Sequence, residues 1–358
     1  MSKLKHVEFT HFRNLNSTSI LPSPSLNLIY GSNGSGKSSL LEAIYFIATG
    51  SSFRTHKLTN IINNEADCFT LFAEITNVYD HRVGIKRCKD LKHQTRINGS
   101  DIIRRSELIR TLPIQVLSPE SINILLQGSD IRRSFIDWAL FHVEHSFHFH
   151  ITHYNKALKQ RNALLKGNDL QQLPYWNALL VEHGEVINRL RYEYTEKLFN
   201  PLNDFLKKLL PELKLEVSYR SGWNRESDLL SSLDSALEND IKLKHTTVGP
   251  HRGDLIIKDC GVRATERLSR GQLKLLVIAM KLVQVMMVSD DDSDSPVLLI
   301  DDIAAELDPE HRAVLLEAIY GLNTQIFVTT PQKELLDCTA WKEMKLFHVE
   351  RGEIKEVV

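Results

Sequence analysis

The sequence predicts an α/β fold, a mixed sheet with helices around it, interrupted by an inserted, mainly helical lobe or short helical hairpin. Three observations carry that expectation. Leu26 to Tyr30 is an apolar run that reads as a buried strand, and Leu40 to Ala48 reads as a helix. Between them lies the glycine-rich segment Gly31-Ser32-Asn33-Gly34-Ser35-Gly36-Lys37-Ser38. Far downstream, Val297 to Ile300 is a second apolar strand, ending in Asp301-Asp302. From Ser118 to about Glu212, Leu158, Leu165, Leu179, Ile187, Leu190 and Leu198 recur at helical spacing among Lys, Arg and Glu. The chain therefore divides into 1–117 and 213–358, two parts of one α/β head, with 118–212 as the helical lobe.

Each element has its own signal. His6 to Phe12, Phe69 to Ile75, Arg82 to Arg87 and Gln94 to Ile97 alternate as strands do, and Asn98-Gly99 marks a hairpin turn. Pro113 to Leu117 reads as a strand, and Ser118-Pro119 as an N-cap with proline at the first helical position. Strand character returns at Leu213 to Tyr219 and Leu255 to Lys258. A helix from about Gly271 to Val288, the strand Val297 to Ile300, a helix after Pro309 and the strand Gln325 to Thr329 follow. Three or four sustained heptads are missing from the middle, which favours a compact lobe or short hairpin over a long coiled-coil arm.

With 358 residues, 42% apolar and 25% charged, the composition is that of a soluble globular protein. The opening stretch carries Lys3, Lys5, Glu8 and Arg13, and no apolar run approaches the ~18 residues of a membrane span, so a cytoplasmic protein is expected. Cys68, Cys88, Cys260 and Cys338 are too widely spaced for a CxxC pair, and reduced thiols are the default. The net charge of −1 exerts no global pull on nucleic acid, so any polyanion site must come from local clusters.

Residues 31–38 fit GxxxxGK[ST], the loop that cradles nucleotide phosphates. Gly31, Gly34 and Gly36 let backbone N–H groups of the loop, including those of Ser32, Asn33 and Ser35, converge on the phosphates. Lys37 supplies a positive charge and the Ser38 hydroxyl a magnesium ligand. Asp301, at a strand end, is the expected metal-holding acid. Asp302 either orients the attacking water as general base or caps the turn. Gln115 is either a residue touching magnesium and water or a polar strand-end residue facing solvent.

Leu268-Ser269-Arg270-Gly271-Gln272, directly before a helix, closely resembles the LSGGQ signature of ABC-type ATPases. Ala305-Glu306-Leu307-Asp308 falls where those ATPases have their D-loop. In that family Ser269, Gly271, Gln272 and Asp308 would face the nucleotide held by the opposite subunit, so that ATP with Mg2+ joins two chains. Over nearly its whole length the chain resembles the RecF family of bacterial recombinational repair ATPases. The resemblance rests on Phe12-Arg13-Asn14-Leu15, Ser118-Pro119-Glu120, Arg132 to Trp138, Leu158 to Leu164, Gly249 to Leu255 and the arginine inside the signature. It implies an ATP-dependent homodimer, DNA binding at gaps or single-strand/double-strand junctions, slow ATP hydrolysis, and cooperation with RecR and RecO in loading RecA. A transporter's nucleotide-binding subunit would carry glutamate where Asp302 stands, and an SMC-type chromosome ATPase would need far more heptad sequence. Aspartate, with its shorter side chain, should hold the water less well and slow the turnover. Thr330 stands where many ABC ATPases have a switch histidine.

Basic residues concentrate in the helical middle: Arg132, Arg133, Lys156, Lys159, Arg161, Lys166, Arg189, Arg191 and Lys197. Lys156, Lys159 and Arg161, and the segment Arg54 to Lys57, are the DNA-contact candidates, against a plain solvated face. No base-reading module is visible, so contacts to duplex or gapped DNA should carry little sequence specificity. His251, Arg252 and Asp254 belong either to a tight hairpin with exposed polar residues or to an ATP-state sensor or subunit contact. The run His142, His145, His148, His150 and His153 lacks an acid or cysteine pattern to complete a metal shell and reads as titrating surface histidines. Asp290, Asp291, Asp292 and Asp294 read as a solvated loop.

Overall fold

Residues 1–121 and 285–358 form one unit of the protein and residues 122–284 another. The computed structural model describes the chain except residues 1, 56, 78, 91, 168–169, 225, 290–294, 303–306 and 358. The acidic loop, Ala305 and Glu306 therefore lie outside the described residues.

The first unit holds two six-stranded sheets. One runs, edge to edge, Glu353–Val357, Met344–Glu350, Leu26–Tyr30, Ile326–Thr330, Val297–Ile300, Ile114–Leu117, and is parallel apart from its terminal hairpin. Its inner strands are apolar on consecutive residues because both faces are covered. The other is antiparallel: Thr18–Ile20, Lys3–Thr10, Cys68–Thr76, Asp80–Cys88, His93–Ile97, Ser100–Asp101. There burial alternates along Cys68–Thr76, and Asn98 and Gly99 take φ of 51° and 84°, the two positive values a tight hairpin turn needs. The helix Lys37–Thr49 has apolar residues around most of its circumference. Leu41, Ile44 and Phe46 share one core with Phe9 and Phe69 of the antiparallel sheet and with Ile29, Leu299 and Phe327 of the parallel one.

Cys68 and Cys88 correct the expectation of reduced thiols: they sit directly opposite in neighbouring strands, Cα atoms 4.0 Å apart, and form a disulfide. Linear spacing hid this, because strand pairing rather than a CxxC motif brings them together.

The second unit is built on the helices Ser129–Val143, Phe147–Gly167 and Leu173–Leu209, with a three-stranded sheet of Val262–Arg263, Asp254–Asp259 and Leu215–Arg220. The hairpin of 21 and 37 residues is longer than the periodicity implied, the second helix running about 55 Å and continuing through Pro201. The expected divisions at 117/118 and 212/213 differ from the observed units because Leu215–Arg220 pairs with Asp254–Asp259, keeping residues up to Gln284 with the helices. The helix Arg270–Ser289 is long and apolar enough by composition to cross a bilayer, contrary to the sequence reading. Two thirds of its apolar window, 67%, is buried inside the protein, as a core helix requires.

Candidate functional site

The phosphate loop leaves the strand Leu26–Tyr30 and enters the helix Lys37–Thr49 with Gly36 at its N-cap, φ 121°. A Cβ at Gly31 would lie 2.2 Å from Val349 O, so only glycine fits where the loop passes the neighbouring strand. Ser32, Asn33 and Gly34 are exposed at the tip, and Ser35 is buried beneath them. The Lys37 ammonium donates to Gly31 O at 2.8 Å and Ser32 O at 3.0 Å, tying it to the start of the loop. Burial pulls that ammonium below the usual lysine range, against the carboxylates of Asp302 and then Asp301, which raise it.

Ser38, Asp301 and Thr329 meet at the C-terminal ends of three strands. The Ser38 and Thr329 hydroxyls both donate to Asp301 Oδ1, each at 2.8 Å. Thr329 Oγ1 also accepts the Asp302 N–H at 2.9 Å. Burial pushes the Asp301 carboxyl up; the two hydroxyls and the Arg54 charge pull it down, and Glu120 pushes it up. A buried carboxylate with hydroxyl neighbours and, among the described residues, no lysine or arginine bonded to it is the donor set a hard divalent cation takes. Asp302 has φ 52°, a left-handed conformation that aspartate tolerates better than most residues and that turns the chain out of the strand.

Thr329 and Glu120 are site residues that sequence reasoning missed, and Arg54, there a DNA-contact candidate, acts on Asp301 through its charge. Thr329 was legible only as the last residue of a strand, one place before the expected switch position. Thr330 itself is fully buried and donates to Gln332 O at 2.9 Å. Gln115 is a correction. It lies inside the strand Ile114–Leu117, opposite Leu298 and three residues short of the Asp301 level, on the order of 10 Å. Its Oε1 accepts the Val116 N–H at 3.1 Å, within its own strand rather than at the Asp301 level.

The Phe12-Arg13-Asn14-Leu15 segment braces the loop. Arg13 makes a two-pronged pair with the fully buried Glu42 of the loop helix, at 2.6 and 2.7 Å. Asn14 Nδ2 donates to Gly34 O at 3.4 Å while its Oδ1 accepts from Ser39 at 2.7 Å. The C-terminal hairpin adds a third support: Gly352 N–H donates to Ser35 O at 2.8 Å, and a Cβ at Gly352 would lie 1.9 Å from Asn14 O. A polar cleft of about 540 Å³ opens beside this brace, lined by Arg13, Asn14, Asn60, Asn63, Glu65 and Arg351 among others.

In the second unit, the signature turn is a reciprocal helix cap. Gln272 N–H donates to Ser269 Oγ at 3.3 Å, and Ser269 N–H donates to Gln272 Oε1 at 2.9 Å. The Gln272 amide also reaches Glu212 at 3.3 Å. Ser269 and Gly271 are exposed, and a Cβ at Gly271 would meet nothing nearer than Ser269 Oγ at 3.9 Å. Packing within the chain therefore does not demand glycine there; an open approach to the first helical N–H groups does explain it. Asp308 caps the helix Pro309–Tyr320, accepting from His311 N–H at 3.0 Å and pairing with its Nδ1 at 2.5 Å.

The basic cluster separates into side chains held by internal partners and side chains left exposed. Arg161 is a correction: it is 0% exposed and bonds Asp240, Asn177 and Thr246 at 2.7, 2.7 and 2.8 Å, which removes it from any DNA contact. Arg191 pairs with Asp137 and holds Pro250 O, Arg132 pairs with Asp254, and Arg133 holds Gly253 O. These arginines clamp the Gly249–Asp254 loop. His251 is locked between Tyr154 Oη and Thr246 O, and Arg252 is left at the surface. Lys156, Lys159, Lys166, Arg189 and Lys197 are exposed.

Comparison with known proteins agrees with this geometry. The family model for the RecF/RecN/SMC N-terminal domain matches residues 3–355. The DNA replication and repair protein RecF of Shewanella baltica is 37% identical over 354 residues, covering 98% of each chain. The structure of the recombination mediator RecF with ATP, of the RecFOR pathway, superposes with a TM-score of 0.88 at 27% identity, covering 100% of this chain and 98% of that one. An Smc head from Pyrococcus furiosus shares the fold, with a TM-score of 0.62 at 18% identity and coverage of 100% and 96%.

Proposed function

The chain belongs to the RecF/RecN/SMC family as a relative of the RecF proteins, and we propose that it is an ATP-dependent DNA-binding protein of recombinational repair and replication restart. In this reading it dimerises on DNA at gaps or single-strand/double-strand junctions, hydrolyses ATP slowly in the cytoplasm, and helps RecO and RecR load RecA.

The observation that carries the reading is the meeting of Ser38, Asp301 and Thr329 at the mouth of the glycine loop. The residues fit the triphosphate: Lys37 is already held by loop carbonyls that phosphate oxygens would replace. Ser38 and Asp301 would hold Mg2+, which supplies charge neutralisation at the phosphates when bound. Asp302, beside them, would orient the attacking water, and the cleft beside Asn14 would receive the nucleoside end. The Ser269 cap uses the hydroxyl oxygen as acceptor, leaving its proton and the exposed helix start to meet the triphosphate held by a second copy. Lys156 and Lys159 on the helical lobe would neutralise DNA phosphates without reading bases.

Light scattering with and without Mg-ATP tests the clamp. The parent chain should double in mass with ATP; Lys37→Met should bind ATP about 10–100-fold more weakly and need correspondingly more of it to dimerise; Ser269→Arg should bind ATP and stay single. An ATP-induced dimer that persists in Ser269→Arg would refute the paired-site reading. DNA affinity on duplex, single-stranded and gapped oligonucleotides should rise with ATP and fall with salt.

A further inference from the structure

We propose that His150, His153 and His183 form a transition-metal site of the zinc class on the helical hairpin. His150 and His153 project from the same face of the helix Phe147–Gly167, three residues apart, and His183 comes from the helix Leu173–Leu209. The histidine run lacks an acid or cysteine pattern to complete a shell; the fold brings a further imidazole to it from 30 positions downstream of His153.

The Nδ1 atoms of His150 and His183 lie 3.1 Å apart. Two nitrogens at 2.0–2.1 Å on one tetrahedral zinc stand about 3.3 Å from each other, so the pair already has the bite of a chelate. The His153 ring centroid is 5.3 Å from that of His183. Its Nδ1 bonds Phe149 O at 2.8 Å, which fixes that nitrogen as the protonated one and leaves Nε2 with its lone pair. Phe149 covers the group, 4.1 Å from the His153 ring and edge-on to His183 at 5.7 Å.

Among the described residues no three donors already surround one point. His150 and His183 form the fixed half of the site, and the exposed His153 ring completes it by a side-chain rotation, with water in the fourth position. Three imidazoles without a thiolate select zinc, nickel or copper over magnesium or calcium. Bound metal would pin the start of the helix Phe147–Gly167 to the helix Leu173–Leu209.

The test uses the full chain stripped with EDTA and titrated with zinc against a chromophoric chelator. One saturable site per chain is expected, undisturbed by millimolar Mg2+, with a raised thermal midpoint; cobalt in its place should give the visible absorption of a tetrahedral site. His183→Asn, checked by circular dichroism, should abolish the site. His153→Gln, at an exposed position, should fold and weaken zinc by about tenfold or more. Failure to saturate, or unchanged zinc affinity in both variants, would overturn the proposal and leave a proton-sharing imidazole pair.

Discussion

The Thr329 hydroxyl joins both carboxylate residues of the site, donating to Asp301 and accepting from the Asp302 backbone. Thr329→Val keeps the shape and removes both bonds. It should cost about 1–3 kcal/mol of stability, measured by urea unfolding, because a buried N–H loses its partner. It should also slow ATP hydrolysis by roughly tenfold or more while leaving ATP binding nearly unchanged, since Lys37 and the glycine loop are untouched. Equal losses in binding and turnover would place Thr329 in the loop's support instead. Lys37→Met should weaken ATP binding by about 10–100-fold in equilibrium dialysis, the worth of a charge-assisted contact. At this scale the loop, Asp301 and the signature were legible, since each is a contiguous motif. Thr329, Glu120 and the pull of Arg54 on Asp301 were not, because each reaches Asp301 from a different segment and no local pattern announces it.

Along the helices, the division of labour between arginine and lysine decides which basic residues remain for DNA. Arginine's planar fork satisfies several acceptors at once, so it serves inside: Arg161 on Asp240, Arg191 on Asp137, Arg132 on Asp254. Arg161→Ala would leave the fully buried Asp240 carboxylate without its cation and should destabilise the protein by about 3–5 kcal/mol. Chemical unfolding checks this, and an unchanged midpoint would contradict it. The double variant Lys156→Ala/Lys159→Ala should leave stability within about 0.5 kcal/mol. If both lysines touch DNA phosphates, it should reduce the slope of log affinity against log salt by about 1.8. The sequence located the basic helices correctly but lacked the partners: Asp240 lies 79 residues from Arg161 and Asp254 lies 122 from Arg132.

At the level of the molecule, two partly buried histidines link stability to pH. Burial pulls both His142 and His251 down to about 4. Unfolded, each titrates near 6.5, so below that pH the unfolded chain binds more protons than the folded one. Stability is therefore full above about pH 6.5 and is lost as pH falls toward 4, by up to about 1.4 kcal/mol per pH unit for each histidine. Urea midpoints between pH 7 and 5 should show the fall, and His142→Phe should roughly halve its slope, His251 supplying the rest; the same slope in that variant would exonerate His142. The α/β class was readable from the two apolar strands and the loop between strand and helix, whereas the hairpin Met344–Glu350 and Glu353–Val357 escaped notice because its charged, alternating residues resemble an ordinary surface tail. That hairpin has a bearing on synthesis. The strand feeding the phosphate loop has both its lateral neighbours, Ile326–Thr330 and Met344–Glu350, at the far end of the chain, Asn27 meeting Ile326 across 299 positions. A ribosome releasing this polypeptide at ~5–20 residues per second would keep that strand waiting on the order of 15–60 seconds for either flank. A half-made chain thus carries the nucleotide motif without either of the strands that flank it.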